Sequence, residues 1–212
     1  MNTAANPVFA RSWARIQAGL GEGLGNPTLR DELLRRYAEP WRHYHTLQHL
    51  AECLAAFEAH ATLARQAVEV EAALWFHDAI YDPRGSGNEE ASARLAREAL
   101  VRAGAPVAFA ERVAQLVLVT RHDGVPATPD EALLVDIDLA ILGADDARFD
   151  EYEEQVRAEY AFVPDALFRG RRAEILRAFL DRPRLYGTDT FHARLEEKAR
   201  RNLARSIGTL AT

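Results

Sequence analysis

The residues best suited to chemistry lie in one stretch of the chain, residues 41–78. Its first segment, 41–49, has the sequence WRHYHTLQH and holds three of the seven histidines. Its last segment places His77 beside Asp78 within the apolar run 72–80. A buried carboxylate without a partner is costly, whereas imidazole and carboxylate groups are common ligands of divalent metal ions. The stretch therefore predicts most of a metal site.

Two histidines of the first segment, His45 and His49, stand four residues apart. On a helix that begins early enough, this spacing places both imidazoles on one side. Such a pair is typical of a metal-binding helix, and it is equally typical of exposed or capping histidines. The spacing alone leaves both interpretations open.

A later helix, predicted at 129–142, contains two aspartates, Asp136 and Asp138. With about 100° of rotation per residue, Asp138 falls near the middle of a broad apolar arc, and Asp136 falls in the gap opposite. A carboxylate centred on an apolar face must be neutralised, hydrogen-bonded or metal-bound. We therefore predict Asp138 as a metal ligand, and Asp136 as solvated or as a partner of a ligand.

The elements that position these residues are predicted to be helices throughout. The 212-residue chain is 48% hydrophobic, is dominated by Leu, Ala, Glu and Arg, and lacks runs of alternating β-branched residues, which favours an all-α fold. We expect a single domain, 1–212, of about 8–10 helices. Its site-bearing core covers about 41–143, with C-terminal helices at 146–208 packed on it. The predicted helices are 8–20, 27–38, 46–61, 64–80, 89–103, 106–121, 129–142, 146–162, 165–181 and 189–208.

Composition and charge exclude several classes of protein. The net charge of −6 argues against a broad nucleic-acid-binding surface. The single cysteine, Cys53, excludes an intrachain disulfide. The N-terminus lacks the basic start and apolar core of a signal peptide, and no apolar run approaches the roughly 18 residues of a membrane span. These features predict a cytoplasmic protein without a membrane partner, and they leave room for a homodimer.

The order of these residues, His, then His-Asp, then Asp, resembles that of the HD superfamily of metal-dependent phosphohydrolases. The resemblance covers nearly the whole chain and points to one bacterial branch of predicted metal-dependent HD phosphohydrolases. The first segment also looks like the Tyr-His-Asn-x-x-His stretch of the cyclic nucleotide phosphodiesterases, which share the fold. The similar segments are YHTLQH at 44–49, WFHDAIYD at 75–82, NEEAS at 88–92, DLAILG at 138–143, Tyr186, and EEKARRNL at 196–203.

The resemblance implies an HD-fold helical bundle and a set of roles for these residues. His49, His77, Asp78 and Asp138 would bind the metal, and His45 would act as a proton donor. Thr46 departs from the phosphodiesterase pattern, which has Asn at this place. Simpler HD proteins use His-Ser-x-x-Val, and on that pattern His45 would be the ligand instead. We prefer His49, because a similar continuation follows it at Cys53-Leu54.

Further site residues are predicted around this set. In dinuclear relatives, extra histidines between the His-Asp pair and the last Asp bind a second metal, and His122 is the histidine in that interval. A helix-ending histidine favoured by the helix dipole is an equal alternative for His122. Arg42 and Arg121 lie close in sequence to site residues, so each is a candidate for binding phosphate or else a surface ion-pair partner. Tyr81 is a further candidate for contacting substrate.

These residues together predict hydrolysis of a phosphate ester, from a nucleotide or another small phosphorylated metabolite. One divalent ion is expected, with a second possible, and Mn, Fe, Zn, Mg, Co and Ni are not distinguished. Asp78 would orient the attacking water, and His45 would protonate the leaving oxygen, with His122 as a further catalytic candidate. Two other functions stay open: an HD-fold di-iron oxygenase, and a non-catalytic module that binds a nucleotide or metal.

Overall fold

The computed structural model describes residues 6–20 and 27–211. Within these ranges the chain forms helices and no strand, which confirms the predicted all-α class. Two short 3-10 helices, Ala61–Leu63 and Leu139–Gly143, join longer ones. The ten α-helices of the described residues are α1 (Pro7–Leu20), α2 (Pro27–Tyr37), α3 (Leu47–His60), α4 (Ala67–Phe76), α5 (Asn88–Arg102), α6 (Val107–Val119), α7 (Pro129–Asp138), α8 (Asp146–Glu159), α9 (Asp165–Leu180) and α10 (Asp189–Ala211).

Three helix ends near the predicted site differ from the prediction. Helix α3 begins at Leu47, because the extended Thr46 caps it and its side chain accepts a hydrogen bond from the Gln48 N–H at 3.2 Å. Helix α4 ends at Phe76 instead of residue 80, so that 77–80 form a turn. Helix α7 ends at Asp138 and continues as a 3-10 helix to Gly143.

The chain divides into two compact units, Met1–Ile137 and Asp138–Thr212. The predicted site-bearing core, 41–143, extends a few residues past this boundary. The predicted single domain stays a prediction. No helix among the described residues has the length and hydropathy needed to cross a membrane.

The first unit is built around α4. Its residues from Val70 to Phe76 are all buried, which fits the rule that a helix apolar on all sides is central. Trp75 is fully buried, with its ring centroid 5.0 Å from that of Trp13, and its indole N–H donates to the Ser12 hydroxyl at 2.9 Å. These contacts fix α1 against the helix that leads into His77.

In the second unit, hydrogen bonds connect the 3-10 helix Leu139–Gly143 to α10 and to the loop before it. The Asn202 amide donates to the carbonyls of Leu142 and Ala144 at 2.9 and 3.0 Å, and the Tyr186 hydroxyl donates to the Leu139 carbonyl at 3.1 Å. A Cβ on Gly143 would lie 2.7 Å from the Leu195 Cβ. Glycine therefore permits a close approach that keeps the 3-10 helix in place.

Glu196 ties the loop before α10 to that helix. Its carboxylate accepts the backbone N–H groups of Leu185 at 3.0 Å and Tyr186 at 3.3 Å, and it pairs with Arg200 at 2.7 Å. Burial by itself would raise the pKa of Glu196. The hydrogen bonds from Arg200 and from the two backbone N–H groups outweigh burial and lower the pKa.

We expect Ser12→Ala to lower the free energy of unfolding by about 1–3 kcal/mol, because it leaves the buried Trp75 N–H without an acceptor. The same substitution in a Trp75→Phe background should cost less, since the donor is then gone. Urea denaturation of the four proteins in this double-mutant cycle measures the coupling. Equal costs of Ser12→Ala in both backgrounds would contradict the assigned hydrogen bond.

We expect Glu196→Gln to lower the free energy of unfolding at neutral pH by about 1.5–3 kcal/mol, since it weakens hydrogen bonds to a charged group. The folded-state pKa of Glu196 lies below its ordinary value of 4.5. The stabilisation is therefore complete above about that pH and is lost as the pH falls through the lowered pKa. Denaturation at a series of pH values should show the two proteins converging in acid. Glu197→Gln, at the exposed neighbouring residue, is the control. A stability difference between the wild type and Glu196→Gln that does not change with pH would refute the role assigned to the Glu196 carboxylate.

Candidate metal centre

Two buried histidines meet at the centre of the predicted site. His49 lies in the first turn of α3, and His77 directly follows α4. They are 2% and 1% exposed, and their Nε2 atoms lie 3.0 Å apart. Imidazole nitrogens this close need a hydrogen or a cation between them: one ring donates its N–H to the lone pair of the other, or both lone pairs bind one metal ion.

The protonation of His77 follows from its second nitrogen. Nδ1 lies 2.8 Å from the Leu74 carbonyl oxygen, which can only accept, so Nδ1 carries the proton. Nε2 of a neutral His77 therefore presents a lone pair. A backbone partner of this kind is the usual device by which proteins fix a metal-binding histidine.

Asp78 adds a carboxylate beside the two rings. Its Oδ2 lies 3.1 Å from His77 Nε2 and 3.5 Å from His49 Nε2. Burial by itself would raise the pKa of Asp78. In their protonated forms His77 and His45 contribute positive charge, and His49 and His77 donate hydrogen bonds to the carboxylate; these effects outweigh burial and hold the pKa of Asp78 well below its ordinary value. Asp78 is therefore ionised at neutral pH.

Tyr37 supports the same turn from α2. Its hydroxyl accepts the Asp78 backbone N–H at 3.2 Å and lies 3.5 Å from His77 Nδ1. Burial raises the pKa of Tyr37 to about 12, so the phenol stays neutral at neutral pH. The hydroxyl therefore helps to fix the backbone from which both His77 and Asp78 project.

Four residues form a group that can hold a metal ion. His49, Cys53, His77 and Asp138 each offer one ligand atom, and these atoms all lie within 4.8 Å of one another. Asp138 is the last residue of α7, a helix whose other residues belong to the first unit. The structure thus brings together three predicted ligands, places Asp78 against two of them, and adds Cys53.

The two histidine nitrogens are spaced to hold a single divalent ion. For metal–nitrogen distances of about 2.0–2.1 Å, a tetrahedral zinc ion separates two nitrogens by about 3.3 Å. His49 Nε2 lies 3.0 Å from His77 Nε2, which agrees with this value to within a few tenths of an ångström. The Cys53 sulfur lies 3.8 Å from His49 Nδ1 and 3.7 Å from Nε2, so it stands beside the ring and off the lone-pair axis of Nε2.

Cys53 is the site residue that the sequence interpretation missed. It follows His49 by four residues on α3 and so lies on the same face, one turn along. The spacing could have revealed it, but the sequence interpretation used Cys53 only for the absence of a disulfide and for the continuation after His49. The group that can hold a metal ion therefore includes a sulfur atom that the HD resemblance does not supply.

Of the two interpretations of Asp136, solvated or a partner of a ligand, the first is wrong and the second stays a prediction. Asp136 is fully buried, and so are all the residues from 133 to 137. Helix α7 is therefore covered on more than one side, whereas the helical projection assumed a single buried face. Asp138, placed at the centre of that face, is half-buried and belongs to the four-residue group.

His45 lies beside the group but outside α3. Because the helix begins at Leu47, His45 and His49 do not share a helix face as their spacing predicted. The half-buried His45 ring stacks on Tyr81, with centroids 4.0 Å apart and an interplanar angle of 27°, and lies 5.9 Å from the His49 ring. His45 is not one of the four grouped residues. Its interpretation as the first ligand therefore gains no support.

Arg42 differs most from its predicted role of binding substrate. Its side chain is buried, and its five N–H donors match five contacts. Two go to the Glu39 carboxylate, both at 2.9 Å, and the others to the carbonyls of His45 at 3.2 Å, Asp78 at 2.6 Å and Ala79 at 3.2 Å. These contacts use the whole guanidinium, so Arg42 holds the protein together instead of a phosphate.

The remaining candidates lie in different surroundings. Arg121 is 41% exposed and pairs with Glu90 at 2.7 Å and Asp123 at 3.4 Å, as the surface ion-pair interpretation expected. His122 follows α6 with a left-handed φ of 56° and is not part of the four-residue group. Tyr81 lies next to the group through its stacking on His45.

We expect Arg42→Lys to lower the free energy of unfolding by roughly 3–5 kcal/mol, because a lysine cannot replace five forked contacts and leaves buried acceptors without donors. Arg121→Lys is the matched control. Because the ion pair of Arg121 is exposed, this substitution should leave the denaturation midpoint unchanged. Urea denaturation followed by circular dichroism measures both. Wild-type stability of Arg42→Lys would show that the buried contacts are not needed.

Comparison of the chain with protein-family models, with curated proteins and with solved structures finds no match. The similarity to the HD superfamily therefore depends on the motif residues themselves. The structure establishes a chain that is all-helical over its described residues, in which His49, Cys53, His77 and Asp138 can hold a metal ion.

Proposed function

We propose that this protein is a metal-dependent phosphohydrolase of the HD type. It would hydrolyse a phosphate ester of a nucleotide or another small phosphorylated metabolite. The observation that carries the proposal is the convergence of His49 Nε2, His77 Nε2 and Asp78 Oδ2, which lie between 3.0 and 3.5 Å from one another.

The placement of the motif residues supports this proposal. The segments that resemble the HD pattern are far apart in sequence, and His49, His77 and Asp138 nevertheless present ligand atoms to one another. A structural helical bundle has no need of such a group, because buried polar atoms are costly unless they are paired. Metal binding explains why these side chains are kept together.

The chemistry divides between the cation and the side chains around it. A divalent ion held by this group supplies a Lewis acid for a phosphoryl oxygen and lowers the pKa of a bound water. Asp78, ionised and in contact with both histidines, can accept a hydrogen bond from the attacking water and orient it.

His45 is suited to deliver a proton to the leaving oxygen. It is half-buried, and its stacking on Tyr81 fixes the plane of the ring. An acid of this kind must reach the substrate while staying close to the ion. Because Arg42 has no free N–H group, we assign the compensation of phosphate charge to the bound ion and to His45.

Metal analysis of the purified protein, followed by turnover assays with that metal on a panel of phosphorylated metabolites, tests the proposal. We expect a divalent ion and phosphate release. Finding no bound metal under any loading condition would refute it. Two irons per chain with oxygen consumption would favour an oxygenase, and tight nucleotide binding without turnover would favour a regulatory module.

Variants separate the two roles of the histidines. We expect His77→Ala to lose both metal and turnover while it keeps its helical content. His45→Gln should keep its metal and lose about 10²–10⁴-fold in kcat, the range for removal of a general acid. His60→Gln, at the end of α3, is the matched control and should change neither property. Full metal occupancy in His77→Ala would mean that the site is wrongly assigned.

A further inference from the structure

Trp41 presents a large aromatic surface to solvent. The chain has three tryptophans, and two of them, Trp13 and Trp75, are 3% and 0% exposed, whereas Trp41 is 50% exposed. A single exposed apolar side chain is common on protein surfaces. The anchoring of Trp41 and its position next to the candidate centre are what distinguish it.

The Trp41 ring is held in place by the backbone of Tyr81. Its indole N–H donates to the Tyr81 carbonyl oxygen at 3.3 Å. The next residue, Arg42, is buried, and its guanidinium donates to the carbonyls of Asp78 and Ala79. Two adjacent residues therefore connect this segment to the chain that follows α4. A ring anchored in this way loses little conformational freedom when a ligand stacks on it.

Tyr81 also connects Trp41 to the proposed proton donor. The Tyr81 ring stacks on His45 with centroids 4.0 Å apart, and the His45 ring lies 5.9 Å from that of His49. Tyr81 thus contacts Trp41 through its carbonyl and His45 through its ring. In the proposed reaction His45 protonates the leaving oxygen, so the leaving group lies on the side of the centre where Trp41 is anchored. For a nucleotide, the leaving group is the nucleoside, which carries the base.

An uncharged contact suits the electrostatics of this surface. The net charge of −6 works against the binding of an anionic substrate. The Arg42 guanidinium is committed to Glu39 and to backbone carbonyls. Stacking of a base on an aromatic ring does not depend on net charge, and every base has a π face. Trp41 can therefore supply binding energy that the charges near the centre do not.

We propose that Trp41 is the platform on which the base of the substrate stacks, so that the substrate class is nucleotides instead of phosphorylated sugars. This inference rests on the proposed function, because it concerns the leaving group of the same reaction. Purines offer a larger ring surface than pyrimidines, so purine nucleotides should bind more tightly. Trp41 acts in binding and takes no part in proton transfer.

Tryptophan fluorescence tests the stacking in the metal-loaded wild-type protein. We expect adenosine, which carries a base but no phosphate, to quench part of the emission in a saturable way, and ribose 5-phosphate to leave the emission unchanged. Because Trp13 and Trp75 are buried, the quenching should vanish in Trp41→Phe. A wild-type emission that adenosine leaves unchanged, or equal quenching in Trp41→Phe, would overturn the proposal.

Substrate selectivity tests the same contact during turnover. We expect Trp41→Ala to lower kcat/KM for AMP relative to ribose 5-phosphate by about 5–150-fold, the loss that follows removal of one stacking aromatic. The change should appear in KM, because stacking stabilises bound substrate and transition state alike. Trp41→Phe should recover most of the ratio. Phe162→Ala, at another exposed aromatic residue, is the matched control and should keep the wild-type ratio. The wild-type ratio in Trp41→Ala would contradict the platform.

The outcomes separate this inference from the proposed function. Quenching of Trp41 by adenosine without phosphate release from any phosphate ester would uphold the platform and refute the phosphohydrolase. Phosphate release with equal kcat/KM for AMP and ribose 5-phosphate would do the reverse. A change in Trp41 emission that follows protein concentration and not adenosine would identify a contact between two copies of the chain and refute the platform.

Discussion

The site depends on the buried guanidinium of Arg42. It joins two backbone segments, since its donors reach the carbonyl of His45 on one side and those of Asp78 and Ala79 on the other. Carbonyls that follow a helix end need partners when water cannot reach them. Arg42 supplies these partners from a charge that Glu39 balances, and it thereby fixes His45 relative to Asp78.

This constraint explains why α4 stops where it does, and why the sequence does not reveal it. The run 72–80 is apolar throughout, so periodicity predicts a helix to residue 80. The chain turns after Phe76 because contacts from distant residues satisfy the backbone: Asp78 N–H donates to Tyr37, and Ile80 N–H donates to Ser92. Local patterns carry no information about such partners, although they predicted each of the ten α-helices found in the described residues, with several ends misplaced.

The contrast between local sequence patterns and contacts with distant residues also explains which parts of the centre could be predicted. His49, His77 and Asp138 could be found because residue type, order and helical position all point to them. The interpretation of Asp136 as solvated failed because a helical projection cannot count how many sides of α7 are covered. Arg42 was misjudged for a related reason: its partners are mainly backbone carbonyls, which every residue carries, so no pattern of side chains announces them.

The balance of charge at the centre gives His45 its importance. The carboxylates of Asp78 and Asp138 would offset the two positive charges of a divalent ion, which leaves no net positive charge for a phosphate. The chain as a whole carries −6, and the Arg42 guanidinium is already committed to Glu39 and to carbonyls. His45 is the titratable side chain stacked beside the group. In the proposed reaction, the proton that His45 gives to the leaving oxygen would also offset part of the charge of the phosphate.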